Sequence, residues 1–263
     1  MRLNMGHDNM SKLSTLLQAC ANVAQIIGKN QYYKNTDFNR AFKIAYNYYM
    51  GVKKVELLKQ GNLKLEKNVL IFDLPSIITC KCACADCYSI KAERIYKNTR
   101  IMRLYHLLLI ECALYDNNFK AELLKDFKRQ IEKSAKKQLD MQIVRWHGSG
   151  DFYKKEYLQL FLELTQACIN IKNCKFYTYT KQLTNGEIDF INNTYNNLNI
   201  VKSMIAGRFI NYGNEEYLKK VIDYLKEHGM PYYICDYGAE NAHTCMGSCK
   251  ICLYCSNVLF HKH

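Results

Sequence analysis

The chain has 263 residues, 49% of them apolar, which is enough to bury a core without crosslinks. It carries 13 cysteines but no basic start, apolar run and small-residue cleavage site, which argues against a secreted disulfide scaffold. The expected home is therefore a reducing cytoplasm, where clustered thiols bind metal. With 37 basic against 24 acidic residues, the net charge of +13 suits a polyanionic partner, nucleic acid or nucleotide.

The lysines are spread along the chain, and Lys, Asn, Ile and Tyr all have AT-rich codons, so genome bias is a competing source of the charge. No membrane partner is expected, because the longest apolar stretch, Leu107 to Leu114, is short and contains Glu111.

In chain order, Leu13, Leu16, Leu17, Cys20, Ala24 and Ile27 form a helical stripe over residues 11–29. A second helix starts at Thr36 or Asp37, either of which suits a cap, and runs through Phe42, Ala45 and Tyr49. Val69 to Phe72 reads as a buried strand ended by Asp73-Leu74-Pro75. Helical patterns follow over roughly 89–96, 99–115 and 119–138. Met141 to Trp146 is the next strand, and Tyr157, Leu160, Phe161, Leu164 and Cys168 mark a helix after it. Lys175 to Thr180 alternates as a strand, placing Tyr177 and Tyr179 on one face. A helix near 185–195, a strand at 199–206, a helix from Asn214 to His228 and a strand at Pro231 to Cys235 complete the pattern.

Alternating strands and helices imply a parallel sheet with helical crossovers. The expected fold is α/β, a partial (β/α) barrel of five to six parallel strands. It divides into an N-terminal helical extension (1–61), a core (62–240) and a C-terminal cysteine segment (241–263). In such folds the loops after the strands' C-terminal ends carry the site.

Two such loops hold chemistry. Cys80-Lys81-Cys82-Ala83-Cys84-Ala85-Asp86-Cys87 packs four thiols into eight positions, and thiolates are soft ligands for zinc or iron–sulfur clusters. Cys80, Cys84 and Cys87 have C-x3-C-x2-C spacing; three ligands on a four-iron cluster leave one iron open to a small molecule. Cys82 is then spare, and a zinc knot is the alternative. Near the C-terminus, Cys245, Cys249, Cys252 and Cys255 suffice to saturate a metal, as a second iron–sulfur cluster or a zinc site. The second loop is His147-Gly148-Ser149-Gly150-Asp151. His147 and Asp151 are candidate catalytic groups that shuttle a proton or bind substrate, and Asp151 is equally a helix cap. Ser203 and Arg208, at and after the fourth strand, are weaker binding candidates.

The cysteine loop after one strand and the Gly-rich acidic loop after the next resemble the radical S-adenosylmethionine superfamily. More specifically, LPSIITC…CYS, HGSGDFY and FYTYTK resemble the phage-encoded gene product 88 family over roughly residues 62–255. The resemblance implies a four-iron, four-sulfur cluster on Cys80, Cys84 and Cys87, and S-adenosylmethionine contacted by Gly148, Ser149, Gly150 and Asp151. Tyr88 stands after the last cysteine, where the superfamily places an aromatic residue before it. An enzyme of this kind draws electrons from a flavodoxin or ferredoxin and cleaves the cofactor to a radical. The alternative is a non-catalytic iron–sulfur or zinc-stabilised module that binds nucleic acid or protein.

Overall fold

The computed structural model describes residues 7–27, 33–61, 68–80, 87–138, 141–205, 233–235 and 257–260. Two N-terminal helices, α1 (His7–Ile27) and α2 (Asn35–Tyr49), precede a two-residue strand β1 (Lys59–Gln60) and β2 (Val69–Asp73). Then come the single turn α3 (Ser76–Thr79), α4 (Tyr88–Ile95), α5 (Lys97–Tyr115) and α6 (Asn117–Ala135). β3 (Gln142–Ser149), α7 (Lys155–Ala167), β4 (Cys174–Thr180), α8 (Asn185–Thr194) and β5 (Leu198–Ile205) alternate as expected. β6 (Tyr233–Cys235) and β7 (Asn257–Phe260) complete the described elements, while the helix expected from Asn214 to His228 lies outside the described residues.

The sheet order is β1-β2-β3-β4-β5-β7-β6, with β1 antiparallel to β2 and every other pair parallel. Consecutive strands from β2 to β5 are neighbours, so their helical crossovers stack side by side. What stands of the expected barrel is thus an open, mostly parallel sheet. β1 and β7 were not legible in the sequence, being a two-residue edge and a short run inside the cysteine-rich tail.

The two faces of the sheet differ. Leu70, Phe72, Val144, Trp146, Phe176 and Ile200 point into one large core shared with the helices. Val69, Ile71, Ile143 and Tyr177 form a smaller cluster, with Tyr179 against it, as strand alternation requires. Phe72 is central to the large core. Its ring stacks on Trp146 at 4.2 Å and on His106 at 4.7 Å, and meets Phe127 edge-on at 5.3 Å.

The N-terminal helices are integral to this core. α5 packs against both α1 and α2, and α5 is buried nearly all round, from Ile101 to Ala113. Asp37, expected as a cap, instead lies in the first turn of α2 and pairs with Arg100 of α5 at 2.7 Å. The cap position falls to Lys34, which makes no side-chain cap bond. Elsewhere side chains do cap helices: Asp116 accepts from the backbone N–H of Asn118 and Phe119, and Thr184 with Glu187 closes a capping box on α8.

Phe72→Ala would remove the ring that three aromatic neighbours share. A loss of about 3–5 kcal/mol is expected, read as a lower urea midpoint at unchanged slope; a loss near zero would contradict the packing described.

Candidate metal and cofactor site

β2 ends at Asp73, and its exit through Leu74-Pro75 leads directly into α3 and then Cys80. The Cys80 N–H donates to Ser76 O (3.0 Å), closing α3, and Cys87 is the N-cap of α4, its carbonyl accepting from Lys91 N–H (3.1 Å). The two outer thiols of the first cluster therefore stand at two helix ends, on either side of residues 81–86. Both are half-buried. A helix N-terminus, with its unsatisfied N–H groups, favours a negatively charged neighbour at Cys87. Cys84, Cys245, Cys249, Cys252 and Cys255 lie outside the described residues, as does Arg208; Ser203 is in β5 and Tyr88 opens α4.

Other described thiols behave as core. Burial pushes Cys168 and Cys174 up to about 12 and Cys20 up to about 11, and raises Cys112. Burial keeps them protonated and inert.

The second motif is part of a strand. β3 runs through Ser149, three residues past the expected end, because it bulges: Phe72 pairs with Trp146, yet Asp73 pairs with Ser149. His147 takes a left-handed backbone (φ 61°) to make the bulge. Gly148 is required by contact, since a Cβ there would lie 2.5 Å from Asp73 Oδ1 and 2.8 Å from Ile71 Cγ2. Gly150 is required twice over: its φ is 88°, and a Cβ would lie 2.7 Å from both Leu74 Cβ and Thr79 Oγ1.

The bulge turns His147 into the core beside Trp146, where both ring nitrogens find partners. The Trp146 indole N–H can only donate, and it does so to Tyr157 Oη at 2.8 Å. The Tyr157 proton then goes to His147 Nε2 (2.7 Å), leaving Nδ1–H to donate to Thr178 Oγ1 (3.1 Å). Burial lowers the His147 pKa to about 3, so the ring is neutral.

Asp151 does not cap α7, whose N-cap is Lys154. It ties strand ends together instead. Oδ1 accepts from Phe152 N–H and Thr180 Oγ1, both at 2.7 Å, and Oδ2 accepts from Lys181 N–H at 2.9 Å. Burial outweighs these donors and raises its pKa.

Sequence reasoning missed a buried polar network joining α3, α4 and β3. Ser76 of α3, Ser89 of α4 and Ser149 of β3 bring their hydroxyls together: Ser76–Ser89 at 2.6 Å, Ser76–Ser149 at 2.7 Å, Ser89–Ser149 at 2.5 Å. Ser149 also donates to Leu74 O at 2.8 Å. Glu93 accepts from Ser76 N–H (3.0 Å), Ser76 Oγ (3.1 Å), Arg103 Nη1 (2.8 Å) and Tyr33 Oη (2.8 Å). Arg103 also donates to Ser89 O and lies 3.7 Å from Asp73. Burial alone would push the Asp73 carboxyl up, but Lys59, in contact with it, and Arg103 hold it below the ordinary carboxylate value. One signal was available: Ile90 and Glu93 share the inward face of α4, and a charge on an apolar stripe implies a buried partner.

The model of the family described as gene product 88 matches residues 56–206, more than half of the chain. No curated protein and no solved structure matches. Among the described residues no helix is long and apolar enough to cross a membrane.

His147 and His106 make stability depend on pH. Burial lowers His106 to about 4, where its Nδ1 meets Asp73 O at 2.9 Å. Unfolded imidazoles titrate near 6.5, so below that pH the unfolded chain takes up protons that the folded chain refuses. Stability should fall as pH drops below about 6.5, by several kcal/mol from these two rings, whose contribution levels below about 3. His106→Gln should flatten the fall of the urea midpoint between about pH 7 and about pH 5; a slope equal to the parent's would contradict the assignment.

Proposed function

This chain belongs to the gene product 88 family, and we propose that it is an iron–sulfur protein whose cluster is held by Cys80, Cys84 and Cys87. The observation that carries the reading is the position of the outer thiols. Cys80 and Cys87 stand at two helix ends just past the C-terminal end of β2, bracketing a loop with two further thiols. Parallel sheets gather their functional loops at that edge. The donor set is all sulfur and contains no histidine, which suits iron–sulfur ligation. Both thiols are half-buried, whereas Cys112, Cys168 and Cys174 are wholly committed to the core.

A four-iron, four-sulfur cluster with three thiolates supplies one-electron reduction and an iron with room for a small molecule. This chain would hold it from α3, whose end carries Cys80, and α4, whose start carries Cys87, and the bulged end of β3 packs against both helices through Ser149. Cys245, Cys249, Cys252 and Cys255 provide a second site of the same chemistry, with zinc as its alternative occupant. The net charge of +13 favours a nucleic acid or nucleotide as substrate, and a flavodoxin- or ferredoxin-type donor would supply electrons.

The radical S-adenosylmethionine reading draws support from the same strand-end position and from the parallel sheet. Its second requirement is acceptors for the cofactor's ammonium in the loop after β3, and the side chains there are engaged within the chain. The Ser149 hydroxyl is tied to Ser76, Ser89 and Leu74, and each Asp151 oxygen already accepts from the chain's own donors. No step through that cofactor follows from these side chains.

Anaerobic purification with iron, sulfide and zinc analysis tests the proposal. The parent should contain iron and sulfide, Cys80→Ala/Cys84→Ala/Cys87→Ala should lose the share held by the loop, and Cys82→Ala should retain it. Zinc without sulfide, persisting after anaerobic reconstitution, would refute the cluster. Complete loss in Cys82→Ala would refute the choice of thiols.

A further inference from the structure

We propose that Glu93 is the positioning residue of the cysteine loop, clasping the two helices that end at Cys80 and begin at Cys87. This rests on the cluster reading for its purpose, though the clasp itself is a property of the metal-free chain.

α3 is a single turn, and one turn has no stability of its own in water. Its N-cap, Pro75, offers no side-chain bond, so the Ser76 N–H needs an acceptor from elsewhere. Glu93 provides it from α4. One oxygen, Oε1, receives both the N–H and the hydroxyl of Ser76, at 3.0 and 3.1 Å. Cys80 is fixed to Ser76 through its own N–H, at 3.0 Å. Glu93 lies six positions beyond Cys87 on the same short helix. A rigid path therefore joins the two thiol-bearing residues: Cys80 to Ser76, Ser76 to Glu93, Glu93 along α4 to Cys87. The Ser76–Ser89 hydroxyl contact at 2.6 Å crosses the same gap, sharing the Ser76 proton with Glu93.

Glu93 is itself held from outside the loop. Arg103 of α5 reaches Oε1 at 2.8 Å and Tyr33 reaches Oε2 at 2.8 Å. A fully buried carboxylate is costly unless it is hydrogen-bonded, and here three donors converge on Oε1 and one reaches Oε2. An apolar side chain would pack in this place but could not cap α3. The clasp accounts for a charge here, and it gives the N-terminal segment, through Tyr33, a part in the geometry of the loop.

The test uses the full-length, metal-free chain carrying Cys82→Ser and Cys84→Ser, so that Cys80 and Cys87 are the loop's remaining thiols. A bis-alkylating bimane bridges two thiols only when they are close, and the bridged peptide is identified by mass spectrometry. Glu93→Ala should slow Cys80–Cys87 bridging on the order of tenfold, as expected when buried hydrogen bonds that select one arrangement are lost. Glu93→Gln should restore it, since the amide keeps an acceptor for Ser76 and can donate to Tyr33. Phe161→Leu, a core change in α7, serves as a control for general destabilisation. Bridging in Glu93→Ala at the parent rate, or slowed no more than in an equally destabilised Phe161→Leu protein, overturns the proposal. Should Glu93→Ala fail to fold, Ser76→Ala removes the shared hydroxyl and must still slow bridging, or the clasp is refuted. Iron retention after anaerobic reconstitution, measured with all loop cysteines present, separates the two ideas. A parent that retains no iron refutes the cluster while the bridging result still decides the clasp.

Discussion

A carboxylate cannot be left unsolvated in a protein interior, and the cysteine-loop end of this fold is organised around meeting the demand of Glu93. Its donors come from the N-terminal segment, from α3 and from α5. They lie 10, 17 and 60 positions from it, so satisfying one charge fixes three segments relative to α4. Arg103 extends the constraint by reaching Ser89 O and the neighbourhood of Asp73. Asp73 in turn is the last residue of β2, so the charge network and the sheet edge are one structure.

The bulge in β3 is the second organising device. A regular strand would send Trp146 and His147 to opposite faces. With the extra residues, His147 joins Trp146 and Tyr157 in the helix-covered core, while Ser149 returns to the ladder opposite Asp73 and reaches the serine cluster. Gly148 and Gly150 permit this because no side chain fits against Asp73, Leu74 and Thr79. The Gly-Ser-Gly sequence is thus explained by packing and hydrogen bonding within the chain. Asp151 completes the arrangement by fastening the end of β3 to the end of β4.

Much of the architecture was legible from local patterns. β2 is a continuous apolar run and β4 alternates, so both were readable from side-chain periodicity. α8 falls where a helix near 185–195 is expected, and Thr184 with Glu187 caps it. Other features had no local signature. The two residues of β1 are a strand only through pairing with Leu70 and Ile71, and α3 is a turn held by a glutamate from another helix. His147 looked like a strand-end group open to chemistry; its burial depends on a bulge whose register is set by Asp73 on another strand. Glu93 stands out in the sequence only by its place on the same face of α4 as Ile90. The thiol spacing of Cys80, Cys84 and Cys87 was fully legible, and the fold adds the helix ends that present the outer pair.

The central claim is that the cysteine loop at the end of β2 holds an iron–sulfur cluster. Low-temperature electron paramagnetic resonance of the anaerobically reduced protein tests it most directly. The account predicts the signal of a reduced four-iron cluster, one component of which disappears in Cys87→Ser. A reduced protein with no such signal that carries zinc in its place, or a spectrum that Cys87→Ser leaves unchanged, would contradict it.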